Sequence, residues 1–228
     1  MIIKALHCDG YSCYNGVVEK KKRHFYISVM GTMGSGKTTV ARLIAHALHF
    51  RLLEENFGEN AFLSRFYQDM KRWAFHSQTF FLMEKISQML ETPNILLKHA
   101  VVQDTPIVQD AFSYAKAQHV LGNMDDSEWK LYQKIYRSFE PYFPKPDLIL
   151  YLETALSVIS DRIEKRGRGY EKQISGSYLE LLDMLNHKWI SENKSVPVMI
   201  VQTDGLNIVR NPVDRKKLVE MVKKKIRI

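Results

Sequence analysis

Short apolar runs alternate with longer segments of helical periodicity along most of this chain. The runs are rich in β-branched and aromatic residues, and they predict strands at 24–30, 50–55, 100–104, 147–152 and 198–201. Apolar residues three and four positions apart predict helices at 38–49, 62–90, 107–121, 128–139, 154–165, 176–193 and 212–226. Because strands that alternate with helices are typical of a parallel sheet covered on both faces, we expect an α/β fold.

The first 23 residues do not follow this alternation. Turn signals at Asp9-Gly10 and Asn15-Gly16 precede a basic run at 20–23. They predict an N-terminal extension over 1–23, folded as a loose hairpin. Since no linker or repeat divides the remainder, we expect residues 24–228 to form one domain.

Composition narrows the class of protein. The chain has 228 residues, of which 45% are hydrophobic and 25% charged, as in an ordinary globular protein. Its net charge of +8 fits an anionic ligand, and a nucleic acid is disfavoured because no nucleic-acid-binding motif accompanies the basic residues. Two cysteines exclude a disulfide framework. With no membrane-length apolar run and no secretory signal pattern, we expect a cytoplasmic protein without a membrane partner.

The strongest motif follows the first predicted strand of the domain. It reads Gly31-Thr32-Met33-Gly34-Ser35-Gly36-Lys37-Thr38-Thr39 and matches G-x-x-x-x-G-K-[ST] without a mismatch. Glycines let backbone N–H groups surround phosphates, and the helix that follows adds positive partial charge. Lys37 would reach the β- and γ-phosphates, and the Thr38 hydroxyl would ligate Mg²⁺. The motif predicts a site for ATP but does not identify the phosphoryl acceptor.

Carboxylates close two of the predicted strands. Glu54 and Glu55 end the second strand, and Asp104 ends the third. In a parallel sheet, ligands bind beyond the carboxyl ends of the strands. One carboxylate near Thr38 could therefore hold Mg²⁺, and another could accept the proton of an attacking hydroxyl. Taken alone, each could equally be a solvated charge at the end of a strand.

Several separate motifs occur along the chain in one order: Glu55 with Asn60, Phe66-Tyr67, the segment 71–75 with Gln78, Asp104 with Asp110, the strand at 146–152 and the basic segment 162–171. Together they resemble the deoxynucleoside kinases, and the bacterial deoxyadenosine/deoxyguanosine kinases in particular. The resemblance implies a three-layer P-loop domain whose five-stranded parallel sheet has the order 2-3-1-4-5. It also implies a homodimer formed through helices in the 107–140 region.

The resemblance implies a role for each acceptor-side residue. Glu55 would be the general base for the nucleoside 5′-hydroxyl, while strand alternation turns Glu54 to the other face. The Gln78 amide would pair with the base edge. The other substrate-binding residues would be Phe81 and Lys85 on the same helical face as Gln78, Tyr67 and Glu171 at the sugar 3′-hydroxyl, and Asp110 near the base, paired with a cation.

Three arginines resemble the lid of this family, which we expect at about 162–172. Arg162 and Arg166 are four residues apart and so share a helical face, and Arg168 follows. Permanently charged, bidentate guanidinium groups suit a transferring phosphoryl group. The resemblance places Arg162 at ATP, and Arg166 and Arg168 with Lys37 among the catalytic residues.

The chain departs from the family pattern at two positions. Thr105 follows Asp104 where family members carry Arg, which helps to orient the general base. Three consequences are open: another cation takes the place of this Arg, the enzyme has low activity, or the chain is a nucleotide-binding subunit without turnover. Lys85 replaces the Arg of the members specific for amino-bearing bases and lacks its planar fork. Asp110 still favours a base with an exocyclic amino group, which thymine lacks.

These residues predict transfer of the γ-phosphoryl of ATP to the 5′-hydroxyl of deoxyadenosine, deoxyguanosine or deoxycytidine. A nucleoside monophosphate kinase shares the phosphate loop and the lid, and is the alternative within enzymes. Such an enzyme needs extra arginines on the acceptor side, for which Arg65, Arg72 and Arg137 are the candidates.

Overall fold

The computed structural model of the protein describes residues 11–14, 17–20, 23–55, 57–169 and 174–227. Strands β1 (Tyr11–Tyr14) and β2 (Val17–Lys20) pair antiparallel and form the hairpin predicted within the N-terminal extension. They pair only with each other among the described strands.

Five further strands form a single parallel sheet. In chain order they are β3 (Tyr26–Gly31), β4 (Arg51–Leu53), β5 (Val101–Asp104), β6 (Leu148–Glu153) and β7 (Val198–Gln202). Their spatial order is β4-β5-β3-β6-β7, with every neighbouring pair parallel. The predicted order 2-3-1-4-5 is therefore confirmed.

Helices connect the strands and cover the sheet. They are α1 (Lys37–Leu48), α2 (Leu63–Gln68), α3 (Met70–Leu96), α4 (Ile107–Gln109), α5 (Lys116–Val120), α6 (Asp126–Phe139), α7 (Leu156–Arg166), α8 (Gly176–Glu192) and α9 (Pro212–Ile226). A π-helical segment, Asp110–Ala115, joins α4 to α5. Short 3₁₀ turns lie at Phe57–Glu59 and Glu140–Tyr142. None of the described helices is both long enough and apolar enough to cross a bilayer.

The two faces of the sheet are covered by different helices. Apolar residues of α1 and α9 pack with Ile27, Val29 and Leu150 on one face. On the other face α3, α6 and the π-helical segment pack with Tyr26 and Val101. Because both faces are buried, β3 is an uninterrupted buried run, as expected for a central parallel strand.

Several boundaries differ from the prediction. The helical region predicted over 62–90 is two helices, because Asp69 leaves the helical conformation and its side chain accepts a hydrogen bond from the Arg72 amide at 3.1 Å. The second strand ends at Leu53, two residues before Glu55. Helix α6 begins earlier than predicted, because Asp125 and Glu128 form a capping box.

The register of the sheet determines which residues meet at its carboxyl edge. Val29 of β3 is paired with Asp104 of β5, and Gly31 with Leu152 of β6. The phosphate loop therefore leaves the sheet beside Asp104, at the same edge as the loop that follows β7.

Candidate active site

The phosphate loop runs from the end of β3 into α1. Gly34 and Gly36 have φ angles of +86° and +102°, in the left-handed region that glycine adopts at little cost. A Cβ at Gly34 would lie 3.0 Å from Ile159 and 3.0 Å from Ile163 of α7, so the packing there also requires glycine. The Lys37 ammonium donates to the Gly31 carbonyl at 2.9 Å.

A buried polar network supports the start of this loop. The Gln109 amide nitrogen donates to the Gly31 carbonyl at 2.6 Å, and Asn186 donates to the Thr32 hydroxyl at 3.2 Å. The Asn186 carbonyl oxygen accepts from Ser113 at 2.5 Å and from Gln109 at 3.2 Å. Because buried amides are costly when unpaired, these bonds fix the backbone of the loop. No sequence motif pointed to them.

Thr38 and Asp104 lie together where the sequence predicts the metal. The Thr38 hydroxyl donates to Oδ2 of Asp104 at 2.6 Å, and the Thr105 hydroxyl donates to Oδ1 at 3.3 Å. A hydroxyl and a carboxylate are the hard oxygen ligands that Mg²⁺ accepts, beside a loop built for phosphates. The pair therefore fits the predicted ion.

The two strand-end glutamates point in different directions, as predicted. Glu54 forms an exposed ion pair with Arg42 of α1. The Glu55 side chain is only 9% exposed, and its Oε1 lies 3.6 Å from the Lys85 ammonium, which is 3% exposed. Burial raises the pKa of Glu55, while the positive charge of Lys85 opposes the rise.

Lys85 is not the cation partner that the sequence analysis expected for Asp110. The Lys85 ammonium donates to the backbone carbonyl of Asp104 at 2.9 Å, and the carboxylate that forms an ion pair with it is that of Glu55. Asp110 is 4% exposed, and its Oδ2 has no hydrogen-bond partner among the described residues. Burial raises the pKa of Asp110 well above its ordinary value, and the charge of Glu55 adds to the rise.

Tyr114 is a site residue that the sequence did not indicate. Its hydroxyl accepts a hydrogen bond from the Lys37 ammonium at 3.0 Å. Both residues are half-buried. The loss of surrounding water lowers the pKa of Lys37 and raises that of Tyr114. The π-helical segment carries Asp110 and Tyr114 into the site, and such segments have no simple sequence signature.

The lid arginines extend from α7. Arg162 donates to the Ser35 carbonyl at 2.9 Å and to the Thr203 carbonyl at 3.0 Å, so it links the phosphate loop to the end of β7. Arg166 lies in the last turn of α7, and its positive charge contributes to lowering the pKa of Lys37. Gly167 ends the helix at φ +68°. Of the lid predictions, Glu171 lies outside the described residues.

A single cavity of about 980 Å³ unites these elements. Its wall includes the predicted site residues Met33, Gly34, Ser35, Gly36, Lys37, Thr38, Thr39, Glu55, Tyr67, Gln78, Phe81, Asp110, Arg162, Arg166 and Arg168. Four other predicted residues, Gly31, Thr32, Lys85 and Asp104, are buried and do not belong to its wall. The loop at 203–210 lines the cavity too, although the sequence did not single it out.

The three arginines that the sequence offered for a monophosphate acceptor are not in this wall. The guanidinium groups of Arg65 and Arg72 lie 5.1 and 5.2 Å from the ring centre of Trp73. Neither they nor Arg137 are among the described residues that line the cavity. The structure therefore gives no support to the alternative of a monophosphate kinase.

The fold and the phosphate loop define a P-loop nucleotide-binding protein, and comparison with known proteins defines the family. The sequence model of the deoxynucleoside kinases matches residues 27–227. A deoxyadenosine/deoxycytidine kinase of Bacillus subtilis is 33% identical over 198 residues, which cover 86% of this chain and 90% of the relative. A deoxyguanosine kinase of the same organism is 30% identical over 205 residues, covering 88% and 97%.

The chain therefore belongs to the deoxynucleoside kinase family. A solved structure supports the fold independently. Deoxyadenosine kinase from M. mycoides superposes with a TM-score of 0.76 at 24% identity, over 89% of this chain and 99% of that one. The resemblance on which the sequence analysis relied is confirmed, as is the three-layer α/β fold.

Proposed function

We propose that this protein transfers the γ-phosphoryl of ATP to the 5′-hydroxyl of a deoxynucleoside that carries an amino-bearing base. The observation that carries the proposal is that Glu55 and the phosphate loop line one cavity. A buried carboxylate that shares its space with a phosphate site suits the activation of a hydroxyl acceptor.

Glu55 acts as the general base in this reaction. Its carboxylate accepts the proton of the 5′-hydroxyl while that oxygen forms a bond to the γ-phosphorus. The bond from the γ-phosphorus to the β,γ-bridging oxygen breaks, and ADP leaves with the electron pair. Such transition states are loose, so positioning and charge neutralisation by Lys37, Arg166 and Arg168 supply most of the catalysis.

Thr38 and Asp104 hold Mg²⁺ in the proposed enzyme. Their oxygens already meet at 2.6 Å beside the loop. When bound, the ion neutralises charge on the β- and γ-phosphates. Arg162 acts indirectly at ATP, because its contacts to Ser35 and Thr203 fix the wall of the site.

The nucleoside occupies the end of the cavity lined by Tyr67, Gln78 and Phe81. Gln78 offers both a donor and an acceptor to a base edge, and Phe81 offers a flat apolar surface. Tyr67, with Glu171, binds the sugar 3′-hydroxyl. Asp110 accepts a hydrogen bond from an exocyclic amino group, which favours deoxyadenosine, deoxyguanosine and deoxycytidine over thymidine.

An assay of the purified chain with Mg-ATP and each of the four common deoxynucleosides, the four ribonucleosides and dAMP tests this function. We expect 5′-monophosphate from at least one amino-bearing deoxynucleoside and little from thymidine. ATP binding without transfer to any acceptor would instead indicate a nucleotide-binding subunit. Transfer to dAMP alone would indicate a monophosphate kinase.

We also propose that the protein works as a homodimer in the cytoplasm. Helices α3 and α6 pack together and expose large apolar side chains, among them Met83 and Leu90, each 44% exposed, and Leu131, 48% exposed. Phe112, Val120 and Leu121 are also exposed in the 107–140 region. Exposed apolar side chains on these helices suit contact with a second copy of the chain. Cytoplasm supplies ATP and keeps Cys8 and Cys13 reduced.

A further inference from the structure

Lys85 is a buried cation whose position serves Glu55. Its side chain is 3% exposed, and it reaches from the middle of α3 to the carboxyl edge of the sheet. There its ammonium donates to the Asp104 carbonyl at 2.9 Å and lies 3.6 Å from Oε1 of Glu55. A buried ammonium loses its hydration, so it is stable only where a carboxylate and a carbonyl replace that water.

The ion pair between Lys85 and Glu55 lies among several other charged groups. The acids that face the site are Glu55, Asp104 of β5 and Asp110 of the π-helical segment, and the Lys37 ammonium of α1 and the Tyr114 hydroxyl complete the group. Lys37 is directed to Gly31 and Tyr114. Glu55 forms its ion pair with Lys85. Thr105, also at this edge, offers only a hydroxyl, which donates to Asp104.

We infer, on the basis of the proposed function, that Lys85 is the positioning residue that orients the Glu55 carboxylate and places a positive charge beside it for proton abstraction. Its ammonium makes two contacts: it donates to the backbone of β5 at Asp104, and it forms the ion pair with Glu55. It lies outside the cavity wall, so it acts on the acceptor hydroxyl only through Glu55. Lys85 on α3 therefore supplies the positive charge near Glu55 that Thr105 cannot supply.

The inference predicts that replacing Lys85 changes the pH dependence of activity. A positive charge close to a carboxylate favours its ionised form and lowers its pKa. Removing that charge raises the pKa of Glu55 beyond the rise that burial causes. Glu55 would then be protonated, and unable to accept a proton, over a wider acidic range. A residue needed only for packing would lower activity equally at every pH.

The test compares the pH dependence of kcat/KM for the best deoxynucleoside in the wild type, Lys85→Gln and Lys85→Arg. Lys85→Gln keeps a donor for the Asp104 carbonyl and removes the charge, whereas Lys85→Arg keeps the charge. Lys98→Met, an exposed lysine just beyond α3, is the control. The acidic limb is the part of the profile where kcat/KM falls with falling pH. We expect this limb to lie about one pH unit or more higher for Lys85→Gln than for the wild type. At pH values below the limb, kcat/KM of Lys85→Gln should be roughly tenfold or more lower than that of the wild type. Lys85→Arg and Lys98→Met should keep the wild-type limb.

Lys85→Met fills a similar volume without a polar atom and serves as a second neutral variant, with ATP affinity reporting on folding. The inference requires the same direction of shift in both neutral variants. A uniform loss of activity with an unmoved limb would overturn it, as would wild-type activity in either variant. Absence of any phosphoryl transfer by the wild type would instead contradict the proposed function itself.

A gain-of-function variant provides an independent check. Thr105 lines the cavity at the same edge as Glu55 and has a φ angle of +59°, which is unfavourable for a β-branched residue. An arginine introduced there can direct a charge to Glu55 without added backbone strain. We expect Thr105→Arg in the Lys85→Gln background to move the acidic limb back toward the wild-type position. A double variant that stays at the Lys85→Gln position would contradict the proposed exchange of cations.

Discussion

The Thr38 hydroxyl donates to the Asp104 carboxylate at 2.6 Å and so joins the first turn of α1 to the end of β5. This contact places the two predicted metal ligands beside the phosphate loop. Asp104→Asn keeps the shape of the side chain and removes its charge. We expect the Mg²⁺ concentration for half-maximal activity to rise about tenfold or more. Titration of activity with Mg²⁺ at saturating ATP measures the effect.

Asp147 provides the control for this experiment, because it lies at the opposite edge of the sheet and pairs with Arg23. Asp147→Asn should leave the Mg²⁺ requirement unchanged. If Asp104→Asn also leaves the requirement unchanged, Asp104 is not a ligand of the ion.

Asp110 makes the protein less stable as the pH rises. Because burial raises its pKa in the folded state, the folded protein retains a proton that the unfolded chain releases above about pH 4. Stability is therefore lost as pH increases from that value toward the folded pKa. We expect Asp110→Asn to raise the urea midpoint at pH 8 and to leave it almost unchanged near pH 4.

The comparison uses equilibrium urea unfolding at both pH values, with the exposed Glu91→Gln on α3 as the control. Equal midpoints for Asp110→Asn and the wild type at pH 8 would show that Asp110 is ionised, with a partner, in the folded protein.

Gln78 should determine nucleoside affinity without affecting ATP. Gln78 lines the cavity and is 6% exposed. Gln78→Ala removes both hydrogen-bonding groups, which we expect to lower kcat/KM for the nucleoside about 10- to 100-fold. KM for ATP should change less than about twofold. Steady-state kinetics with each substrate varied in turn measure both, and parallel losses for both substrates would argue against a base contact.

Arg162 should support the phosphate loop through its two backbone contacts. It donates to the carbonyls of Ser35 and Thr203, and a lysine cannot span both with the same geometry. Arg162→Lys should therefore weaken ATP binding while Arg215→Lys, exposed on α9, should not. Calorimetric titration with ATP measures the affinities. If the Arg162→Lys variant binds ATP as tightly as the wild type, the two backbone contacts of Arg162 are not needed for ATP binding.

The apolar surface of α3 and α6 predicts the oligomeric state. Leu131→Asp places a charge within it and should convert a dimer into a monomer, because a buried unpaired carboxylate is costly. Light scattering after gel filtration measures the mass, and Val213→Asp on α9, which replaces another exposed apolar residue, is the control. A wild-type monomer would contradict the proposed dimer.

The sheet and the phosphate loop could be predicted because their signals are local. Buried strands such as β3 are continuous apolar runs, and the glycines at 34 and 36 are required by backbone conformation. Strand order came from family resemblance and agrees with the structure. Glu54 and Glu55 were also expected to point apart, and they do pair with different cations, Arg42 and Lys85, although both lie beyond the end of β4.

The contacts of the site could not be predicted in the same way, since they depend on long-range packing. Lys85 and Asp110 are 25 positions apart, and only the structure shows that the Lys85 ammonium turns to Glu55. The Gln109 and Asn186 amides meet beneath the phosphate loop although 77 positions separate them. Buried polar pairs of this kind leave no periodic pattern in a sequence.

The most direct test of the proposed mechanism is the turnover of Glu55→Gln. The amide has nearly the shape of the carboxylate but cannot accept the proton of the 5′-hydroxyl. Single-turnover transfer from Mg-ATP should fall at least about 100-fold, while ATP affinity stays within about twofold of the wild type. Wild-type turnover by Glu55→Gln would contradict the account, because the proton would then leave by a route that does not involve this side chain.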